Sequence, residues 1–95
     1  MTRVRIPPVL REAAGGQKEV ELEGSTVRAV LGALVERFPA LREQLFGADG
    51  ELNRFVNVYL NDEDVRYLSE LETPAGERDT IVVLPAMAGG AAGAG

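Results

Sequence analysis

Polar and apolar residues alternate in two short runs near the start of the chain, at residues 3–6 and 18–23. A period of two is typical of a strand with one buried face and one face in water. Two consecutive prolines follow the first run and limit backbone pairing there, and a Gly-Gly pair between the runs indicates a turn. We therefore expect an antiparallel hairpin in which Arg3 and Arg5 face the glutamates of the second run.

A helix is predicted after this hairpin, because apolar residues recur at spacings of three and four. Gly24-Ser25-Thr26 precedes the pattern and offers a helix cap, and Pro39 ends it. A shorter helical turn is expected in residues 40–46, followed by a loop at 47–50. The apolar stripe consists of Val27, Val30, Leu31, Leu34, Val35 and Phe38.

Residues 55–60 are rich in strand-forming side chains. Val56, Val58 and Leu60 should face the core, with Phe55, Asn57 and Tyr59 facing outward. A polar turn at 61–64 precedes a short return strand expected at Val65–Arg66, and residues 70–79 are expected to form a loop. The last strand, residues 80–84, is almost wholly apolar, which is typical of a central strand buried on both faces or of one that borders a binding surface.

The order strand, strand, helix, strand, short strand, strand predicts an α+β fold with a mixed sheet packed on one main helix. In the ubiquitin-like β-grasp version of this fold, the first and last strands lie parallel at the centre of the sheet. We expect one domain over residues 1–85 and a flexible tail over residues 86–95.

The composition of the 95 residues narrows the possible chemistry. There is no Cys or His, so a cysteine nucleophile, a thiolate metal site and the usual general base are excluded, and no metal site is expected. The net charge of -5 disfavours nucleic acid as a partner and suits a basic protein surface. Without a long apolar run or the apolar core of a signal peptide, we expect no membrane span and a cytoplasmic location.

The tail carries the strongest candidate for function. After Leu84 the chain continues with Pro85, Ala86, Met87, Ala88, Gly89 and Gly90, and then five residues of Ala and Gly. Because no side chain after Met87 exceeds a methyl group, the tail is expected to remain flexible. Such a thread suits a narrow channel in another protein, where its carboxylate would react. A frayed terminus without function is the alternative interpretation.

The segment from Leu84 to Gly90 resembles the endings of the MoaD and ThiS sulfur carriers, a ubiquitin-like family. The run FVNVYLNDEDVR, Phe55 to Arg66, is similar to the CysO carriers of cysteine biosynthesis, as are the opening VRIPPVLRE and the LNRF before Val56. The resemblance covers almost all of residues 3–90. The Gly-Gly ending alone is weakly specific, whereas its combination with the Phe55–Arg66 segment is strong.

This resemblance implies a carrier cycle and not an enzyme. A MoeB/ThiF-like activating enzyme would use ATP to adenylate the carboxylate of Gly90, next to Gly89, and a sulfur donor such as a rhodanese would leave a thiocarboxylate. A PLP-dependent cysteine synthase, or a thiosugar synthase type of enzyme, would accept the sulfur, and a JAMM-type metalloprotease would release the product. No cofactor is expected on this chain, since ATP and PLP belong to the partners.

One departure from the family is the five residues after Gly90. We expect a protease, such as the JAMM-type enzyme, to trim them. The alternatives are an inactive form, a reactive end at Gly95, or residues added by cloning.

An apolar docking patch beside the tail is also predicted. Its members are Pro7, Phe55, Tyr59, Val82 and Leu84, together with Pro85, Met87 and Ala88 in the tail. The alternative is ordinary scattered surface apolarity.

Other functions remain open. These are the small subunit of molybdopterin synthase, a single-site protein modifier with Lys18 as the only lysine, and a plain interaction domain.

Overall fold

Two parallel strands, β1 (Thr2–Arg5) and β5 (Thr80–Pro85), lie at the centre of a five-stranded sheet. The computed structural model describes residues 1–85, so the predicted tail at 86–95 lies outside the described residues. The sheet has the order β2-β1-β5-β3-β4, and every pair except β1–β5 is antiparallel. The other strands are β2 (Glu19–Leu22), β3 (Val56–Leu60) and β4 (Glu63–Asp64). The predicted α+β fold and its parallel centre are confirmed.

Strands β1 and β2 pair antiparallel as expected, with Arg3 opposite Glu21 and Arg5 opposite Glu19. Arg3 Nε lies 2.8 Å from a Glu19 carboxylate oxygen, and Arg5 Nε lies 3.9 Å from the other. Both pairs are solvent-exposed, so each contributes little to stability. Their main consequence is a charged outer face on this half of the sheet.

The main helix, α2 (Val27–Arg37), begins where its cap was predicted. The Thr26 hydroxyl oxygen accepts a hydrogen bond from the Ala29 amide at 3.1 Å. The predicted stripe is buried from Val27 to Val35, and Phe38 packs half-buried against the core. The helix ends before Pro39, as expected. It supplies one wall of a single core whose other wall is the inner face of the sheet.

The β5 side chains alternate between the core and the outer face, which decides between the two interpretations of this apolar strand. Ile81 and Val83 are buried, Val82 is half-buried, and Leu84 is 42% exposed. The strand is therefore covered on one face only, and its other face borders the surface.

The predicted return strand at Val65–Arg66 is wrong. The strand is two residues earlier, at Glu63–Asp64, and Val65–Tyr67 is a 3-10 helix. The Asp64 carboxylate accepts a hydrogen bond from the Arg66 amide at 2.9 Å, and this cap turns the chain out of the ladder. Val65 is buried and anchors the turn in the core.

Four further short helical elements lie within residues 1–85. Helix α1 (Pro8–Arg11), which was not predicted, begins at a proline, whose fixed φ suits a first helical position. The turn predicted at 40–46 is confirmed as a 3-10 helix, Pro39–Leu41, followed by α3 (Arg42–Leu45). The segment predicted as loop at 70–79 contains one further 3-10 helix, Glu70–Glu72.

Among residues 1–85, no helix has the length and apolarity needed to cross a bilayer.

Candidate functional site

The predicted tail begins at the end of β5, so the outer face around that point is the candidate site. In the register, Leu84 lies opposite Asn57 and Val82 lies opposite Tyr59 across the β5–β3 pair. On its other side, Val82 pairs with Arg5 of β1. Because alternate residues share a face, these side chains form one continuous outer surface next to the root of the tail.

An open depression in this surface brings Pro7, Val82 and Leu84 together. Arg5, Arg11 and Lys18 also line it, with Glu19 as the acidic member. The chain as a whole is acidic, so this local excess of positive charge differs from the average surface. The depression combines an apolar floor with a cationic rim, which suits a protein partner that carries exposed apolar and acidic side chains.

Phe55 is separate from this depression. It lies one residue before β3, is 63% exposed, and lines another open depression with residues from Gly47 to Arg54. Four of the five predicted patch residues are therefore neighbours in the sheet or across the depression, namely Pro7, Tyr59, Val82 and Leu84. Their role in docking stays a prediction. The predicted tail residues Met87, Ala88, Gly89 and Gly90 lie outside the described residues, and Pro85 is the last residue of β5.

Arg66 is a site residue that the sequence analysis did not single out. Its Nη2 donates to the carbonyl oxygens of Val56 at 2.8 Å and Arg54 at 3.2 Å. Its Nη1 donates to the side-chain oxygen of Asn57, the residue opposite Leu84. In the sequence, only its position at the end of the Phe55–Arg66 segment points to a role for Arg66. A single arginine in a polar turn does not indicate which groups its side chain will hydrogen-bond.

The ionisable groups of the site are cations and exposed carboxylates. No cluster of three potential metal ligands occurs among residues 1–85. One pKa is clearly displaced elsewhere, since the hydrogen bond from Arg28 Nε to the Glu72 carboxylate, at 2.7 Å, raises the pKa of the Arg28 guanidinium. That pair joins α2 to the Glu70–Glu72 helix and supports the fold, not the site.

Comparisons with known proteins match nearly all of the described residues. The family model of the ThiS family matches residues 4–90. The sulfur carrier protein CysO of Mycobacterium tuberculosis is 44% identical over 89 residues, which cover 92% of this chain and 96% of that protein. The small archaeal modifier protein 1 of Haloferax volcanii is 41% identical over 83 residues, covering 85% of this chain and 91% of that protein.

Solved structures agree with the sequence matches. A chain in the crystal structure of the Amycolatopsis orientalis BexX/CysO complex superposes with a TM-score of 0.85 and 39% identity, covering 92% of this chain and 97% of that one. The fold is accordingly the ubiquitin-like β-grasp that the sequence predicted.

Proposed function

Since this chain belongs to the ThiS family, whose matched members include sulfur carrier proteins, we propose that it carries sulfur as a thiocarboxylate on the carboxyl group of Gly90. One observation supports this most directly. The predicted tail continues from the end of a central strand, next to an exposed Leu84 on an apolar and cationic surface.

The proposed chemistry takes place at the carboxylate in an active site that a partner enzyme supplies. A carboxylate oxygen of Gly90 attacks the α-phosphorus of ATP, and pyrophosphate leaves. A hydrosulfide ion from the sulfur donor then attacks the acyl carbon and AMP leaves, so that a C–S bond replaces the C–O bond of the adenylate and the product, after loss of the S–H proton, is the thiocarboxylate. Adenylation is needed because a carboxylate is a poor electrophile and AMP is a good leaving group. The chain acts as a co-substrate of its partners.

The described residues would supply recognition. We propose that a MoeB/ThiF-like activating enzyme docks on Pro7, Tyr59, Val82 and Leu84, with Arg5 at the rim. Exposed apolar side chains in a depression are the kind of anchor that carries most of the binding energy at protein interfaces. Docking there would place the start of the tail at the partner's surface and leave the Gly-Gly end to enter its active site.

The sulfur acceptor is proposed to be an enzyme of the cysteine synthase or thiosugar synthase type, and a JAMM-type metalloprotease is proposed to trim the tail or release the product. The 44% identity to a CysO protein supports an acceptor in cysteine biosynthesis. The Amycolatopsis orientalis structure, in which CysO is in complex with BexX, supports delivery within a protein–protein complex.

The test is ATP–pyrophosphate exchange by the activating enzyme from the same genome, measured with the chain that ends at Gly90. We expect exchange that depends on the carrier and saturates with its concentration. A matched chain that ends at Ala88 lacks both glycines and serves as the control, for which no exchange is expected. Exchange that is the same with either chain, or that is absent with both, would contradict the proposal.

Similarity to a small archaeal modifier protein favours a second candidate function, single-site protein modification. The same adenylate would then be attacked by a lysine of a target protein. Because Lys18 is the only lysine, a Lys18→Arg variant separates the two modes of conjugation. Conjugates that disappear in this variant are chains built through Lys18, whereas conjugates that persist are attached to a lysine of another protein or to an N-terminal amine.

A further inference from the structure

We propose that Arg66 is a positioning residue that fixes the root of the tail by holding the start of β3, the strand against which β5 ends. The proposal rests on the carrier function, because the direction of the tail matters only if its end must reach a partner's active site.

The last residues of β5 depend on β3. The register of β1 with β5 runs from Thr80 to Val82, after which the β1 chain leaves the sheet through Pro7 and α1. On the other side, the β3 pairing continues to the end, with Asn57 opposite Leu84 and Val56 opposite Pro85. Within the described part of the chain, Leu84 and Pro85 are therefore held in the sheet by β3 alone.

The start of β3 is itself at the edge of the sheet. Strand β4 has two residues, and its register covers Tyr59 and Leu60 only. The backbone of residues 54–57 on that side thus has no strand partner among residues 1–85. Unpaired strand edges expose carbonyl groups and are prone to local opening. A strand that opens at this point would release the root of the tail with it.

Arg66 takes the place of the missing strand partner. Its guanidinium donates to the carbonyl oxygens of Arg54 and Val56 and to the side-chain oxygen of Asn57. All three acceptors lie at the start of β3 or just before it. The planar fork of arginine can serve separate acceptors at once, whereas a lysine ammonium acts as a point charge on a flexible stem. The guanidinium thus joins the residues that lie opposite Leu84 and Pro85.

The turn before Arg66 holds this arginine in position. The Asp64 carboxylate accepts a hydrogen bond from the Arg66 amide at 2.9 Å, and Val65 is 1% exposed. A capped and buried turn limits the freedom of the Arg66 side chain before it reaches β3, so fewer conformations are lost when its hydrogen bonds form. The acidic turn at the end of the Phe55–Arg66 segment thus holds the Arg66 backbone in place, and the Arg66 side chain in turn holds the start of β3.

Hydrogen exchange of the full chain, without any partner, tests the structural half of the proposal. Arg66→Gln should raise the exchange rates of the Asn57 and Leu84 amides roughly tenfold through local opening, with the rates at Leu31 and Leu34 unchanged. Arg66→Lys should show the same loss, because it keeps the charge and loses the fork. Unchanged rates at Asn57 and Leu84, or a uniform increase throughout the domain, would overturn the proposal.

A smaller change keeps the test decisive if Arg66→Gln does not fold. Asn57→Ala removes one of the three acceptors and should raise the exchange rate of the Leu84 amide by about threefold, a partial form of the same local opening. An Asn57→Ala variant with wild-type exchange at Leu84 would count against the proposal.

Kinetics with the activating enzyme test the functional half. In ATP–pyrophosphate exchange with the chain that ends at Gly90, Arg66→Gln and Arg66→Lys should lower kcat roughly tenfold with little change in KM, because the bound tail is misdirected while docking is retained. Arg28→Gln, which removes the exposed ion pair between Arg28 of α2 and Glu72, is the matched control and should behave as wild type. A raised KM at unchanged kcat, or full activity of Arg66→Lys, would show that Arg66 contacts the partner directly and would overturn the positioning role.

The positioning role of Arg66 and the carrier function are tested by separate measurements. If the wild-type chain supports no exchange by the activating enzyme, the carrier function falls, while the hydrogen-exchange result still decides whether Arg66 holds the root of β5.

Discussion

Pro85, the last residue of β5, lies directly opposite Val56, the first residue of β3. The point from which the tail continues is therefore part of the sheet. Leu84, one residue earlier, faces the open side and is 42% exposed. A tail that begins in the sheet beside an exposed apolar residue suits the proposed carrier function, in which the tail would enter the active sites of partner enzymes.

Leu84→Asp should weaken docking and leave the fold intact. A charge in an apolar contact should raise the KM for the activating enzyme about tenfold or more, as expected for a central interface residue. The free energy of unfolding should change by less than about 1 kcal/mol, because the side chain already contacts water. The KM is measured from ATP–pyrophosphate exchange at increasing concentrations of the variant, and the free energy of unfolding is measured by urea unfolding.

Two neighbours control this experiment. Val9→Asp changes another exposed apolar residue, one that does not line the Pro7–Leu84 depression, so exchange should be unaffected. Val83→Asp, at a side chain that is 2% exposed, should unfold the domain. If Leu84→Asp unfolds the domain as Val83→Asp does, the assignment of Leu84 to the docking surface is wrong.

Gly24 and Gly32 should respond to alanine in opposite directions. A Cβ at Gly24 would lie 2.8 Å from the Val30 amide nitrogen and from its Cγ2, so Gly24→Ala should cost about 1–3 kcal/mol of stability. A Cβ at Gly32 meets no atom within 4 Å, and helix propensity should raise the stability of Gly32→Ala by roughly 1 kcal/mol. Urea unfolding of the two variants provides the comparison, and equal effects would contradict the described packing of the β2–α2 connection.

Thr26→Ala should destabilise the domain by about 1 kcal/mol, because the Ala29 amide loses its capping hydroxyl. Ser25→Ala is a suitable control. The backbone carbonyl of Ser25 accepts a hydrogen bond from the Ala75 amide, and the substitution retains this bond. Both are measured by urea unfolding at equal protein concentration. If Ser25→Ala destabilises the domain as much as Thr26→Ala does, the assignment of Thr26 as the helix cap is wrong.

The length of the tail should decide whether the chain is activated. An additional pentapeptide spans roughly 17 Å when extended, and misplacement of a reacting group by about 1 Å already costs ~10²-fold in rate. The 95-residue chain should therefore support no ATP–pyrophosphate exchange until it is trimmed after Gly90. Gly90→Val in the trimmed chain should also block exchange by crowding the channel. Equal exchange by the untrimmed chain would move the reactive end to Gly95.

Much of the fold followed from the sequence because its determinants are local. The stripe from Val27 to Val35 has a helical period, and alternation in the first hairpin fixes which side chains face the core. The parallel pairing of β1 with β5 joins the two ends of the described chain, so no local pattern predicts it. Its prediction rests on the order of the elements and on the known topology of the fold.

The structure differs from the sequence-based expectations where tertiary contacts override local pattern. Val65–Arg66 has the residues of a strand end, but burial of Val65 and the Asp64 cap turn the chain out of the sheet after Asp64, so the strand lies two residues earlier. The partners of Arg66 lie nine to twelve residues away and depend on how short β4 is, which no local pattern reveals. Phe55 has the expected outward orientation, yet the loop before β3 places it along a different depression.

The mass of the intact protein after incubation with the activating enzyme, ATP and a sulfide source tests the central claim most directly. The account predicts that the chain ending at Gly90 gains the mass difference between one sulfur atom and one oxygen atom, and that fragmentation locates this gain at the terminal glycine. The control without ATP should keep its original mass. An unchanged mass in the complete reaction, or a sulfur atom at any other residue, would contradict the carrier function.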